Sequence, residues 1–411
     1  MKRPKISIPI TFHKACESGF TSLVDNNHTQ CLMHSSHICD SKKVKSKKMK
    51  VLQVITSLRT GGAEKLITDM APIYKQQGID VDVLLFDGIE TAFKKQLEEQ
   101  RINIIEFGRN RSVYSPIYII KLIRHLRSHT YDWVHTHNTA CQLFAAIASM
   151  FAPPETRFCT TEHNTSNRRR QSALFKFLDK WMYSRYSIVF AVSQATANNL
   201  KSHVTMSCPV ITIPNGISIQ RYAEAQAVNK DSLGCSANTF LIVMVAAFRP
   251  QKDQDTAIRA MLHLPAHTML CLVGDGVRRA ECEQLAKQLD LSDRIIFTGV
   301  RPDVPNILKA ADAVVMSSHY EGFGLAAVEG MAAGKPVIAS DVPGLADIVR
   351  DYGMLFPKED DEALAKAITQ LISDSSLYAS IAERCVRRAS AYDLRKTSQA
   401  YIDTYKAYKP Q

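Results

Sequence analysis

Nowhere in the 411 residues does an apolar run reach the roughly 18 uninterrupted residues that a membrane-spanning helix requires, so the chain is not expected to cross a bilayer. The ten cysteines lack paired spacing, which excludes the disulfide framework of a small secreted domain and points to free thiols in a reducing compartment, expected to be the cytoplasm. There is no G-x-G-x-x-G: Gly61-Gly62 does not supply it, and no plainly placed ribose-binding acid ends the second strand, which disfavours an NAD-dependent oxidoreductase. No acidic pair suited to a metal is identifiable, and no carboxylates stand at glycosidase-like positions. Neither a metal nor another cofactor is therefore expected. The positive charge also lacks a folded home. Residues 1 to 48 hold nine Lys/Arg against three Asp/Glu, more than half of the net +11. No nucleic-acid partner is expected from so thinly spread a remainder, whereas a mildly basic body suits anionic small molecules or an anionic membrane surface.

What is present is globular: 45% hydrophobic and 22% charged residues, in a chain too long for one ordinary core. Residues 1–48, rich in Ser, His and Lys and without sustained periodicity, read as a disordered leader or the artefact of an upstream start, with Met49 as the biological start. Cys31, His34, His37 and Cys39 fit no standard zinc spacing and read as a fortuitous cluster. From Met49 short apolar strands alternate with helical segments, at Lys50 to Thr56, Asp80 to Phe86, Ile102 to Phe107, Asp132 to His137, Phe158 to Thr161, Ile188 to Ser193 and Val210 to Ile213. Pro214-Asn215-Gly216 closes this series. A second follows at Phe240 to Ala247, Thr268 to Val273, Ile295 to Thr298, Ala313 to Ser317 and Val337 to Ser340. The pattern predicts an α/β fold of two Rossmann-like lobes facing across a cleft. The lobes are 49–216 (acceptor side) and 237–390 (donor side), joined by a polar linker over 217–236.

The stretch from Ser317 to Pro336 carries the most chemistry. A strand ends at Ser317, a glycine-bearing loop follows, and a small-residue helix opens near Gly324. Free amides at that helix start suit an anion, and Gly322 and Gly324 let the main chain approach a ligand closely. Glu321 and Glu329 flank the anion position, so one carboxylate can reach a sugar while the other faces a nucleoside.

This segment resembles the E-x7-E signature of the family 4 retaining glycosyltransferases of GT-B fold, and the resemblance runs from about Met49 to Tyr408. It implies that Glu321 contacts a hexose, that the amides of Phe323, Gly324 and Leu325 contact hexose and diphosphate, and that Glu329 binds the ribose hydroxyls. The donor would be a nucleotide-diphosphate sugar, and front-face attack would retain the anomeric configuration. Residues 391–411 would form a helix crossing back to the first lobe.

Other motifs extend the same resemblance. Lys252 offers a compact cation to the leaving diphosphate. Where the family has Gly-Arg this chain has Ala246-Ala247, and Arg249 is the candidate replacement. Gly274, within Gly274-Asp275-Gly276, resembles a second glycine turn of the nucleotide pocket, although such a triplet is also ordinary turn chemistry. Backbone near Val300 would meet the nucleobase, and Asp303 is expected to cap the next helix. Gly61 and Gly62 open a helix where their amides would close over the donor phosphate. His135 and His137 share one strand face; His137 matches a histidine near the sugar, and His163 is a candidate for the acceptor side.

Arg168-Arg169-Arg170 precedes a stripe of Leu174, Phe175, Leu178, Trp181 and Met182, expected to be a core face with Lys176 and Lys180 solvated. The alternative is a helix that docks on anionic lipid at the inner face of the plasma membrane, which would suit a lipid-linked acceptor. The activity these features imply is hexosyl transfer to a glycan or lipid-linked acceptor in polysaccharide or glycoconjugate synthesis. A non-catalytic sugar-nucleotide-binding subunit and a sugar-nucleotide epimerase of related fold stand as rivals.

Overall fold

In the computed structural model the described residues are 48–163 and 173–408. The leader, its Cys/His cluster and Arg168-Arg169-Arg170 fall outside them. Described by itself, the unit spanning Lys47–Gln411 contains two parallel sheets.

The first sheet is built from β1 (Lys50–Ile55), β2 (Asp80–Leu85), β3 (Asn103–Glu106), β4 (Trp133–His137), β5 (Arg157–Glu162), β6 (Ile188–Ala191) and β7 (Val210–Thr212). Between them run α1 (Gly62–Gln76), α2 (Ala92–Glu99), α3 (Ile117–Ser128), α4 (Thr139–Ala148), α5 (Ala173–Tyr183) and α6 (Gln194–His203). Strand order is β3-β2-β1-β4-β5-β6-β7. Both faces of this sheet are covered, and β1 shows how the sequence achieves it. Val51 and Ile55 enter one core with Leu66, Met70 and Tyr74 of α1, while Leu52 and Val54 enter the other with Leu122 and Phe144. A strand buried on both sides reads as a continuous apolar run, which is why periodicity alone marked it.

A short connecting helix, α7 (Ile219–Ala223), leads to the second sheet: β8 (Phe240–Val245), β9 (Thr268–Val273), β10 (Ile295–Gly299), β11 (Ala313–Met316), β12 (Val337–Ser340) and β13 (Met354–Phe356). Its helices are α8 (Gln254–Ala260), α9 (Arg279–Gln288), α10 (Val304–Ala310), α11 (Leu325–Ala332), α12 (Ala346–Val349), α13 (Asp361–Ser373) and α14 (Ser375–Ala389). The order is β10-β9-β8-β11-β12-β13. β13 is absent from the sequence reading, because three residues at a sheet edge carry too short an apolar run to be told from a loop.

The last helix, α15 (Leu394–Ala407), packs Leu394, Tyr401, Ile402 and Tyr405 into the core of the first sheet. Its start is tied to the connector by backbone bonds from Ile217 N to Tyr392 O and from Leu394 N to Ile217 O, each 2.9 Å.

Candidate active site

In a doubly wound sheet the strand order reverses at one place, and the loops leaving the carboxyl ends of the two strands there diverge to open a crevice. The first sheet reverses between β1 and β4, whose following loops carry Gly61-Gly62 and Asn138. The second reverses between β8 and β11, followed by the Ala246–Asp253 loop and the Ser317–Gly324 loop. Contacts bring these four loops together. A Cβ on Gly62 would lie 3.3 Å from Leu325 Cδ1, and Thr196 Oγ1 of α6 is 3.4 Å from Gly322 O.

On the second lobe Lys252 Nζ forms an ion pair with Glu321, and Ser318 Oγ donates to the same Glu321 oxygen at 2.9 Å. The cation and the carboxylate expected at the two ends of a glycosyl phosphate thus neutralise each other. Gly324 begins α11 at φ 95°, a left-handed conformation that a side chain would strain. The loop before it is backed by Gly344, where a Cβ would stand 2.3 Å from Glu321 O. The Phe323 side chain is buried edge-on against Tyr392, so only its main chain is free to serve a ligand. Gly274 (φ 143°) and Gly276 (φ 156°) are not hairpin glycines. Their missing Cβ atoms would lie 2.1 Å from Ala246 O and 2.5 Å from Phe248 O, so they admit the loop that carries Arg249 and Lys252. Val300 is 61% exposed at the end of β10, leaving its backbone approachable.

Two charged residues reach across from the head of α1. Glu64 folds back over Gly61, where a Cβ would meet its Oε2 at 2.1 Å, and Asn138 Nδ2 stands 3.4 Å from its other oxygen. Burial raises the Glu64 carboxyl above its usual range, an effect offset in part by its own backbone amide, by Asn138 and by the positive charge of Arg249 from the second lobe. Lys65 pairs with Asp69 at 2.7 Å and lies 3.9 Å from Glu329. Glu329 is 5% exposed, and burial together with its negative charge raises the phenol of Tyr222 on α7, so both lobes and the connector come close at this carboxylate.

The histidines form a buried relay. His135 is held between Tyr405 OH (2.6 Å) and Thr161 Oγ1 (2.7 Å), while His137 contacts Gln53 Oε1 (2.8 Å) through Nε2 and His163 Nε2 (2.9 Å) through Nδ1. Burial lowers the His135 imidazole to about 3 and His163 to about 4, so all of them are neutral near pH 7, His137 being depressed as well. A neutral His137 that donates to Gln53 must accept from His163, which fixes the His163 proton on Nε2 and leaves its Nδ1 lone pair unused by the relay. His137 is 1% exposed, with both ring nitrogens engaged. It stands behind His163, which is half-buried. Glu162, beside it, accepts from Gln142 Nε2 and Tyr183 OH at 2.6 Å each.

Two further expectations are corrected. Asp303 occupies the cap position of α10, but its carboxylate is taken by a two-pronged contact with Arg301 at 2.7 and 2.8 Å, leaving no side-chain cap. On α5 the buried face is Asp179, Met182 and Tyr183, while Phe175 (39%) and Phe177 (76%) are exposed. Asp179 belongs inside because it meets His203 Nε2 at 3.0 Å, a partner invisible in local periodicity. Glu64, Lys65 and Asn138 have no place among the sequence-stated site residues. Glu64 and Lys65 follow Gly61-Gly62 after Ala63, and their local signal is their place in the first turn of the helix that the glycines open.

Comparison with known proteins agrees with this arrangement. Residues 60–221 match the model described as Glycosyltransferase Family 4, and residues 226–388 match that of Glycosyl transferases group 1. An Escherichia coli UDP-Gal:alpha-D-GlcNAc-diphosphoundecaprenol alpha-1,3-galactosyltransferase is 26% identical over 284 residues, 63% of this chain and 71% of the relative. The Bacillus anthracis N-acetyl-alpha-D-glucosaminyl L-malate synthase is 27% identical over 269 residues, 64% of this chain and 70% of the relative. Among solved structures, Anabaena HepE in complex with UDP-glucose superposes with a TM-score of 0.78 at 27% identity, over 88% of this chain and all of that one. Two facing Rossmann-like lobes with these switch-point loops define the GT-B fold, and the matched family models are those of glycosyltransferases. The chain belongs to the group 1 glycosyltransferases, and neither the epimerase nor the non-catalytic alternative is favoured by its relatives.

Proposed function

We propose that the chain transfers a hexose from a nucleotide-diphosphate sugar to a glycan or lipid-linked acceptor with retention of configuration. The observation that carries this reading is the Lys252–Glu321 pair at the mouth of the Gly322–Gly324 loop, with Leu325 at the end of that loop standing against Gly62 of the first lobe. A diphosphate entering there would take Lys252 from Glu321, leaving the carboxylate to accept hydrogen bonds from sugar hydroxyls. Lys252, Arg249 and the amides opening α11 would then stabilise charge growing on the leaving phosphate, where fixed dipoles and cations are most effective. Glu329 would hold the ribose, Gly274 and Val300 would border the nucleoside, and His163 would face the reacting sugar with His137 fixing its tautomer. No protein carboxylate need form a bond to the sugar, and no metal or other cofactor is required by this scheme.

UDP-glucose in the Anabaena complex and the diphosphoundecaprenol acceptor named for the Escherichia coli relative support a UDP-sugar donor and a lipid-linked acceptor. Among the described residues no helix is long and apolar enough to cross a membrane. Exposed Phe175 and Phe177 on α5, with Lys176 and Lys180, fit peripheral contact with anionic lipid instead. Flotation with anionic liposomes at low salt should carry the protein upward; absence of association rules this part out. The donor is tested by a panel of nucleotide sugars, followed by thermal shift and slow donor hydrolysis. One nucleotide series should stabilise the protein and be hydrolysed, and failure of every member would overturn the assignment.

A further inference from the structure

His319 has no part in the scheme above, yet its geometry ties together the two loops on which that scheme depends. Its backbone N–H donates to Gln251 O at 2.8 Å. Its ring Nε2 lies 3.2 Å from Asp253 Oδ2 and 3.3 Å from Glu359 Oε1, an ion-pair approach rather than an aligned hydrogen bond to either. Lys252 sits between Gln251 and Asp253, so one residue grips it on both flanks. Two positions further along His319's own loop is Glu321, the partner of the Lys252 ammonium.

The gripped segment is conformationally costly. Asp253 adopts φ 49°, ψ 56°, a left-handed conformation that residues with side chains rarely hold unless their surroundings over-determine it. Its surroundings do so. The buried carboxylate accepts from Thr256 N and Thr256 Oγ1 at the head of α8, and its backbone oxygen accepts from Ser317 Oγ at 2.6 Å. Lys252 itself is tied through its N–H to Arg249 O at 2.9 Å and through its backbone oxygen to Ser317 Oγ at 3.4 Å. The His319 ring adds a side-chain restraint on this turn, its Nε2 shared between Asp253 and Glu359, which also pairs with Lys358 at 3.1 Å.

We propose that His319 is a positioning residue for Lys252: by clasping Gln251 and Asp253 it holds the ammonium where the distal phosphate of the donor arrives. The proposal rests on the donor reading above and deepens it.

A purely structural role would weaken every ligand of the second lobe alike, whereas a role through Lys252 acts on the distal phosphate. The test is calorimetric titration of UDP and UMP into wild-type protein, His319→Ala and His319→Gln. With loss of one charge-assisted contact, His319→Ala should bind UDP about tenfold more weakly while UMP affinity stays at the wild-type level. His319→Gln, which retains the backbone bond and an amide donor for Asp253, should restore most of the UDP preference. Equal weakening of UDP and UMP, or no change in either, overturns the proposal. If His319→Ala does not fold, Asp253→Asn keeps an oxygen for the α8 cap while weakening the ring contact and must lower the same UDP-to-UMP ratio; an unchanged ratio overturns the proposal. Where GDP or ADP binds wild type better than UDP, that nucleotide and its monophosphate are used. Wild-type protein that binds none of the three diphosphates overturns the donor reading, and this inference with it.

Discussion

Acidification should loosen the first lobe through its buried histidines, and the size of the effect follows from their burial. His135 is held near 3 and His163 near 4 in the folded chain, against 6.5 when exposed. Their folded values lie below the unfolded one, so the unfolded chain takes up more protons as pH falls. The contribution to stability is therefore complete above about pH 6.5 and declines as pH drops toward the folded values. Between about pH 7.5 and pH 5 each such group costs about 2 kcal/mol, the product of about 1.5 pH units and 1.36 kcal/mol per unit. Together they remove about 4 kcal/mol, a large share of the 5 to 15 kcal/mol by which a domain is usually stable. Urea unfolding followed by tryptophan fluorescence across this range measures the loss. His135→Gln supplies the control, because its amide can still meet Tyr405 and Thr161 but cannot titrate. Its loss on acidification should be smaller than that of wild type by about 2 kcal/mol, and groups common to both proteins cancel in the comparison. Equal losses in the two proteins would refute the reasoning.

Gly274→Ala should destabilise the protein by about 3 kcal/mol or more, since its Cβ would press on the Ala246 carbonyl. Gly234→Ala, at φ 78° with nothing within 4 Å of its Cβ, should cost only about 1 kcal/mol; denaturant midpoints compare them. Tyr405→Phe removes the partner of His135 Nδ1 and should cost about 1 to 3 kcal/mol by the same measurement, with no loss of folded yield. Sugar transfer should persist in EDTA; activity lost to EDTA and restored by Mg or Mn would contradict the metal-free scheme.

The double-sheet fold is legible in the sequence because central strands such as β6, β8 and β11 are buried on both faces and so read as short apolar runs. What eludes such reading depends on partners that periodicity does not name. Asp303 has the right residue type and place for a helix cap, but Arg301, two residues earlier, offers a charged two-pronged bond that the backbone amides do not match. Phe175 falls on the expected apolar stripe of α5, whereas the helix is turned so that Asp179 can meet His203. The glycines at 274 and 276 look like common turn chemistry until the Ala246–Phe248 backbone is seen pressed against them. His137 and His163 are 26 residues apart, and only the pairing of β4 with β5 sets one behind the other. Across the cleft, the approach of Lys65 to Glu329 joins residues from different lobes, which no local pattern encodes.

The central claim is that the carboxylate released by Lys252 holds the transferred sugar. It is tested most directly by the turnover of Glu321→Ala with whichever nucleotide sugar the wild-type protein accepts. The account predicts that this variant remains folded and still binds the free nucleotide diphosphate, but loses sugar transfer and donor hydrolysis. Turnover at the wild-type rate would contradict it.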